Sequence, residues 1–265
     1  MTPHKVCDCI IPPRRPDGWH PAVGTALSTA QLESVLNWFW MAIPVNSQGR
    51  TPRCESYSTS NVIEMLIRRY VGRDAIPVGM QVNPDPLFVG ARARCSPSEA
   101  LDDGGLPLGA SLASAVALGL LPACTEIITI GLTPDAICAQ LQSAPLVCGE
   151  IIHDGWWSPD RANGCIPWAG YPGQVGGHAT ALLAVDAADQ SNPGICIQNS
   201  WLESDGTPWG RGGYGVVQFT DFLCNAIEAP KSVRVTPEWI DALAALVGDP
   251  AWRATWYTTQ WDGPR

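Results

Sequence analysis

The chain has 265 residues, 46% hydrophobic and 15% charged, with a formal charge of −9, which is enough apolar mass for one large core or two lobes and excludes disorder and collagen. Acidic side chains outnumber basic ones by 25 to 16 and no basic run occurs, so the sequence carries no electrostatic footprint for nucleic acid or an anionic membrane. The longest apolar stretch, Ala110 to Ala123, is too short for a bilayer span and includes Ser111 and Ser114; it is read as a core helix rather than a membrane segment.

Residues 1–26, rich in Pro, Gly and charge, are read as an extended arm. Prolines and arginines interrupt it before any apolar stretch reaches the length of a secretory signal. The expected location is therefore the cytoplasm, or a virion or other large assembly, and the ten cysteines are expected to be mostly free thiols. Cys7 and Cys9, flanked by His4 and His20, are spaced more tightly than a metal site prefers, and no second pair follows at finger-like distance. No metal site is expected from them.

Thr29 to Trp40 has helical spacing through Leu32, Val35, Leu36 and Phe39, and a helix there must end before Pro44. From Glu55 to Tyr70, Val62, Ile63, Leu66, Ile67 and Tyr70 repeat at helical spacing, which puts Cys54 at a helix start. Further helices are predicted over about Leu108 to Leu118 and over Thr133 to Gln142, where Thr133 is the N-cap and Pro134 the first helical residue. The second half reads as strands: Leu146 to Ile152, His178 to Val185, Ile195 to Gln198 and Tyr214 to Phe219, separated by Gly, Pro and Asp. After Pro230, Thr236-Pro237-Glu238 caps a last helix, Trp239 to Val247, and a tail with Trp252, Trp256 and Trp261 follows. Helices first and strands afterwards imply an α+β protein with two lobes and a cleft between them. The divisions expected are 1–43, an arm and helix; 44–229, the body; and 230–265, a helix and Trp-rich tail.

A nucleophilic cysteine needs a lowered pKa, a base and donors aimed at the oxyanion. Cys54 at a helix N-terminus has the positive end of the helix dipole beside it. His178, one of four histidines, stands in Gly176-Gly177-His178-Ala179 at the start of a strand. Asn199, at the end of the next strand, can accept from its imidazole and fix its orientation, and Trp201 can shield that bond from water.

The segment Pro44 to Tyr57 resembles the nucleophile segment of papain-like cysteine peptidases: Pro44-Val45 leads to Gln48-Gly49, and Gln48 precedes Cys54 by six residues. The resemblance continues in order with Asp103-Gly104-Gly105, Gly177-His178-Ala179, Asn199-Ser200-Trp201 and Trp209-Gly210-Arg211-Gly212-Gly213-Tyr214-Gly215. His178 and Asn199 follow Cys54 by 124 and 145 residues, close to papain-type spacing. These motifs, in order, cover about residues 44 to 225. The resemblance implies a helical N-terminal lobe and an antiparallel, barrel-like C-terminal lobe with the site between them, and makes 44–229 the peptidase domain. It implies Cys54 as nucleophile, His178 as base and then acid, Asn199 as the orienting residue and Gln48 as an oxyanion donor. Gly104 and Gly105 would pair with an extended peptide or protein substrate, and Ala179 and Trp201 would line its site. No metal or organic cofactor is implied.

The pattern is broken at two places beside the nucleophile. Glu55 follows it, where a negative charge opposes the thiolate if aimed at the sulfur, unless it faces solvent or favours the helix N-terminus. Thr51 stands where the family has a cysteine, so that family disulfide is not expected. His153 with Asp154 is read as a turn at the cleft rim, and Asp102 with Asp103 or Glu203 with Asp205 as solvated acids rather than glycosidase pairs. Two alternatives stand beside hydrolysis. One is a scaffold acting in binding or assembly, for example in a phage particle, with the tail tryptophans either docked on the body as a small satellite core or exposed to hold a protein partner. The other is transpeptidation or amidase chemistry by the same triad.

Overall fold

In the computed structural model, residues 38–41, 46–49, 51–95, 105–167, 176–186, 193–203 and 205–259 are described. The N-terminal arm with Cys7 and Cys9, most of the helix expected over Thr29 to Trp40, Asp102, Asp103, Gly104 and Trp261 lie outside them. Of that first helix only a 3-10 turn, Trp38–Met41, is described.

Helix α1, Cys54–Tyr70, is the axis of the molecule and packs against both halves. It starts at the nucleophile candidate itself, one residue before the expected start, and Val62, Ile63, Met65, Leu66 and Ile67 are buried along it. Its first half is polar yet buried, which a helix tolerates only if each hydroxyl finds a partner. Ser58 Oγ donates to Cys54 O and Ser60 Oγ to Val82 O, each at 2.8 Å, and Ser56 Oγ meets Ser111 Oγ at the same distance. Two further helices, α2 (Pro84–Arg94) and α3 (Ala110–Ala117), pack on α1 and on each other and complete the helical lobe. The α2 helix was not expected. Asn83 caps it by accepting from the Asp85 N–H at 3.1 Å.

Six antiparallel strands form the second lobe. They are β2 (Ile127–Thr129), β3 (Leu146–Ile152), β4 (Gly176–Asp186), β5 (Gly194–Gln198), β6 (Tyr214–Gln218) and β7 (Lys231–Val233), in the order β2-β7-β3-β4-β5-β6, with β1 (Met80–Val82) outside this sheet. The expected bounds of β3 are the observed ones. Strand β4 begins two residues earlier than expected and β6 stops at Gln218, because Phe219 opens another helix, Phe219–Asn225. Between β2 and β3 lies α4, Pro134–Leu141, whose Thr133 cap accepts from Ala136 N as its sequence implied. The helix Phe219–Asn225, α5, packs against β3, β5 and β6.

The C-terminal segment is docked. Helix α6, Pro237–Gly248, and helix α7, Pro250–Trp256, are each opened by a side-chain cap, Thr236 and Asp249, followed by proline. Strand β8, Tyr257–Thr259, then pairs with β1. Trp239, Trp252 and Trp256 are buried; the indole N–H of Trp239 donates to Thr125 Oγ1 at 2.9 Å and that of Trp252 to Gly119 O at 3.0 Å. The exposed-anchor reading of the tail is therefore corrected at Trp252 and Trp256, whose rings gain more by packing against Tyr257 and the helical lobe than by waiting for a partner. Trp252→Ala is expected to cost about 3–5 kcal/mol in urea unfolding; an unchanged midpoint would show that this helix carries none of the stability. Among the described residues no helix is long and apolar enough to cross a membrane.

Candidate active site

Cys54 is the first residue of α1, so its side chain stands where the helix leaves its N–H groups unpaired and its dipole is positive. No side chain caps this end: Arg53, the N-cap residue, instead pairs with Asp85 and lies over the Phe88 ring. Cys54 is 1% exposed and His178 is fully buried, so both side chains are shielded from water.

His178 sits near the start of β4, the strand that packs on α1. Asn199 follows the last residue of β5, the neighbouring strand, and its backbone N–H is fixed by Gly213 O at 2.9 Å. His178 Nε2 and Asn199 Oδ1 are 2.7 Å apart. Oδ1 also accepts from Ser200 N at 2.7 Å, which makes it an acceptor and Nε2 the protonated ring nitrogen. The other nitrogen, Nδ1, is buried and has no hydrogen-bond partner among the described residues. A lone pair held in place without a partner is what a proton acceptor requires.

Aromatic rings enclose this pair. Trp201 stacks on the imidazole with centroids 4.1 Å apart, and Trp157 stacks on Trp201 at 5.6 Å. Trp156 meets His178 edge-on at 6.1 Å and stacks on Trp209, whose indole N–H donates to Trp156 O. Trp156 and Trp157, which follow the His153–Asp154 turn expected at the rim, thus belong to the shell around His178. The only sequence signal was their adjacency, which says nothing of where they point. The same packing explains Gly215: a Cβ there would stand 2.6 Å from the Trp209 ring.

Gln48 is buried and tied to the segment that carries Asn199: its N–H donates to Ser200 O at 2.9 Å, and its Oε1 accepts from Ser200 Oγ at 2.6 Å. Its Nε2 donates one hydrogen to Thr51 O at 2.8 Å, leaving a second. The Asn-Ser-Trp segment therefore holds both the imidazole and the amide. Ala179 is buried opposite Gly149 of β3. Gly105 is buried ahead of α3, and Gly104 lies outside the described residues.

Glu55 neither faces solvent nor caps its own helix. It is 1% exposed, and Oε1 accepts from Gly109 N at 3.0 Å and Ser111 N at 3.1 Å, while Oε2 accepts from Ser111 Oγ. The residue after Cys54 is thus the cap of α3, filling an N-terminus that has no cap of its own because its N-cap residue is Gly109. Burial pushes its carboxyl up to about 7 against the lowering effect of those hydrogen bonds, with a smaller upward push from Cys54.

The remaining candidates separate from this site. His153 is buried and its partner is Asp221 of α5, at 3.2 Å, rather than Asp154; its Nδ1 accepts from Gly155 N. Glu150, opposite His178 in the β3–β4 register, is fully buried, and burial and then the Asp221 charge hold its carboxyl well above the usual range. Asp205 is taken by Thr207 N and Oγ1, which hold its carboxyl below the usual range, so it makes no paired acid with Glu203. Among the described residues no three His, Cys, Asp or Glu side chains are grouped as metal ligands. Cys138 and Cys148 are inert by position: burial pushes the first up to about 11 and the second higher still.

No protein-family model and no curated protein matches the sequence. Solved structures do match the fold. Xylellain, a cysteine protease from Xylella fastidiosa, superposes with a TM-score of 0.58 at 14% identity, covering 80% of this chain and 91% of that one. Digestive procathepsin L2 from the larval midgut of Tenebrio molitor superposes with a TM-score of 0.58 at 15% identity over 86% and 77%. A procathepsin B from Trypanosoma congolense gives 0.52 at 13% identity over 80% and 82%. The fold is papain-like, α+β with two lobes.

Proposed function

We propose that the chain is a cysteine peptidase that hydrolyses peptide bonds through a thioester acyl-enzyme. The observation that carries this reading is the imidazole of His178, anchored through Nε2 to Asn199 under the Trp201 ring with Nδ1 buried and unpartnered. Its support from outside the chain is the papain-like fold shared with solved cysteine proteases.

In this mechanism His178 Nδ1 takes the Cys54 proton, and the thiolate, favoured by the α1 dipole, attacks the scissile carbonyl. The negative oxygen that forms is met by the Cys54 backbone N–H and the second Nε2 hydrogen of Gln48, whose other hydrogen is already bound by Thr51. His178 returns the proton to the leaving amine, then takes one from water as the thioester is cleaved. Asn199 keeps the ring in one tautomer throughout. Gly104 and Gly105 receive the extended peptide backbone, and Ala179 and Trp201 border the bound residues. Thiol, imidazole and amide supply every group the reaction uses, without metal or organic cofactor. The assembly alternative loses the two tail tryptophans that structure places in the core, and nothing in the geometry favours transamidation over hydrolysis.

The test is incubation with a peptidyl electrophile followed by peptide mapping, alongside hydrolysis of a mixed peptide library. A stoichiometric adduct on Cys54 with library cleavage supports the reading. Labelling of other cysteines at the same rate, with no cleavage, overturns it.

A further inference from the structure

The turn that opens α3 is held by two carboxylates from different parts of the chain. Glu55, next to the nucleophile, takes Gly109 N, Ser111 N and Ser111 Oγ, and Glu228, from the segment between α5 and β7, takes Leu108 N at 2.9 Å. This turn continues directly from Gly105, the described residue of the glycine pair assigned to the substrate backbone. Ser111 Oγ also meets Ser56 Oγ, so Glu55, Ser111 and Ser56 form a buried relay from the first turn of α1 to the first turn of α3. When Glu55 is ionised, Ser111 donates to it and Ser56 donates to Ser111. When Glu55 is protonated, it donates to Ser111 Oγ and Ser111 donates to Ser56. With Glu55 ionised every hydrogen of this relay has an acceptor within it; with Glu55 protonated the relay reverses and the Ser56 hydroxyl hydrogen is the one left over.

We propose that Glu55 is a positioning residue that latches the substrate-binding wall at Gly105 to the nucleophile helix, and that the latch is tightest in acid and loosens as pH rises. This rests on the peptidase reading for its effect on substrate, though not for the latch itself. Closed, the carboxyl titrates at about 7 instead of its ordinary 4.5, chiefly because burial disfavours its charge. Opened to water, it titrates at the ordinary value. Between those two pH values the open form has lost a proton that the closed form keeps, so rising pH favours opening by as much as about 300-fold, and the effect levels off above 7. Cys54 is the group whose charge reaches Glu55. Helix α3 carries no titratable side chain, Asp85 of α2 is paired with Arg53, and Glu228 and Lys231 approach the turn at Leu108 and Gly109 rather than at the carboxyl. The strands that pack against α1 carry His178 and Asp186 on β4 and Cys148 and Glu150 on β3.

Amide hydrogen exchange of the whole chain, corrected for intrinsic rates, reads the latch without any substrate. Protection of Gly109 and Ser111 should fall by up to about 300-fold between pH 4.5 and 7 and then stay level, and Glu55→Gln, the neutral isostere, should remove the step. With peptide substrate, KM should rise over the same range in the native chain and stay flat in Glu55→Gln, with kcat following its own profile in both. A step that persists in Glu55→Gln, or its absence from the native chain, overturns the proposal. A step without any turnover leaves the latch standing and removes the peptidase reading. If Glu55→Gln does not fold, Ser111→Ala decides: losing a donor to the carboxylate must move the upper end of the step to higher pH, and an unmoved step overturns the latch.

Discussion

Replacing Cys54 with serine is expected to lower kcat/KM for peptide hydrolysis by about 10⁴-fold or more while leaving the unfolding midpoint within about 1 kcal/mol of the native value. The two halves of that expectation have separate causes. A hydroxyl does not ionise in the field of a helix N-terminus, so the dipole and His178 can no longer prepare a nucleophile before substrate arrives. The packing, by contrast, hardly changes, because sulfur and oxygen differ little in volume and the residue begins a helix whose hold on the core lies at Val62, Ile63, Leu66 and Ile67. Alkylation supplies the companion measurement. In the native chain, iodoacetamide should modify Cys54 well below the ordinary thiol range near pH 8.5, and the buried Cys138 and Cys148, which burial pushes up, should lag far behind it. Equal turnover by Cys54→Ser, or alkylation of Cys54 only above pH 8, would remove the thiol from the mechanism.

The same numbers explain why Glu55 need not disable the site. A carboxylate next to a nucleophilic sulfur opposes thiolate formation when it is charged and aimed at it. Here the carboxyl is aimed at α3, and it stays protonated through the acid range because burial lifts it to about 7. Sequence could not show this. The position of Glu55 after Cys54 was legible, but its partners are the N–H groups of residues 109 and 111, and nothing in the local sequence says that the start of α3 falls across the start of α1.

That contrast runs through the whole fold. Elements with a one-sided apolar pattern were legible: α1 from its spacing at Val62, Ile63, Leu66 and Ile67, β3 to the residue, and α4 and α6 from threonine caps followed by proline. Helix α2 was not, because only Pro84, Leu87 and Ala91 are buried along it while Val89 points to solvent at 64% exposure. Three buried positions do not make a period. Strands β1 and β8 are three residues each and pair across most of the chain, and such pairs are set by where tertiary packing delivers the two segments. The orienting pair of the candidate site was legible for the opposite reason: His178 lies near the start of β4 and Asn199 just past the end of β5, so the antiparallel pairing of these neighbouring strands brings them together. The shell of Trp156 and Trp157 depends on a 3-10 turn folding back over the sheet from β3, and no short-range signal reports that.

His178→Ala should lower kcat by about 10⁴-fold and Asn199→Ala by about 10²-fold, with KM nearly unchanged in both. The larger loss follows from removing the base itself: Nδ1 is the only unpartnered ring nitrogen of the enclosed histidine, and no neighbour in the tryptophan shell can accept a proton in its place. The smaller follows because Asn199 acts through the ring. Without Oδ1 the ring keeps its Trp201 stack, so most of its orientation survives. What it loses is the preference for protonation at Nε2, which divides the population between a productive tautomer and one whose proton blocks attack. The loss should therefore appear in kcat and in the acid limb of its pH profile. Asn199→Ala should also cost about 1–3 kcal/mol in stability, because Nε2–H and Ser200 N would both lose an acceptor inside the protein. A purely structural asparagine would show that stability loss with an unmoved pH profile, whereas an orienting one moves both.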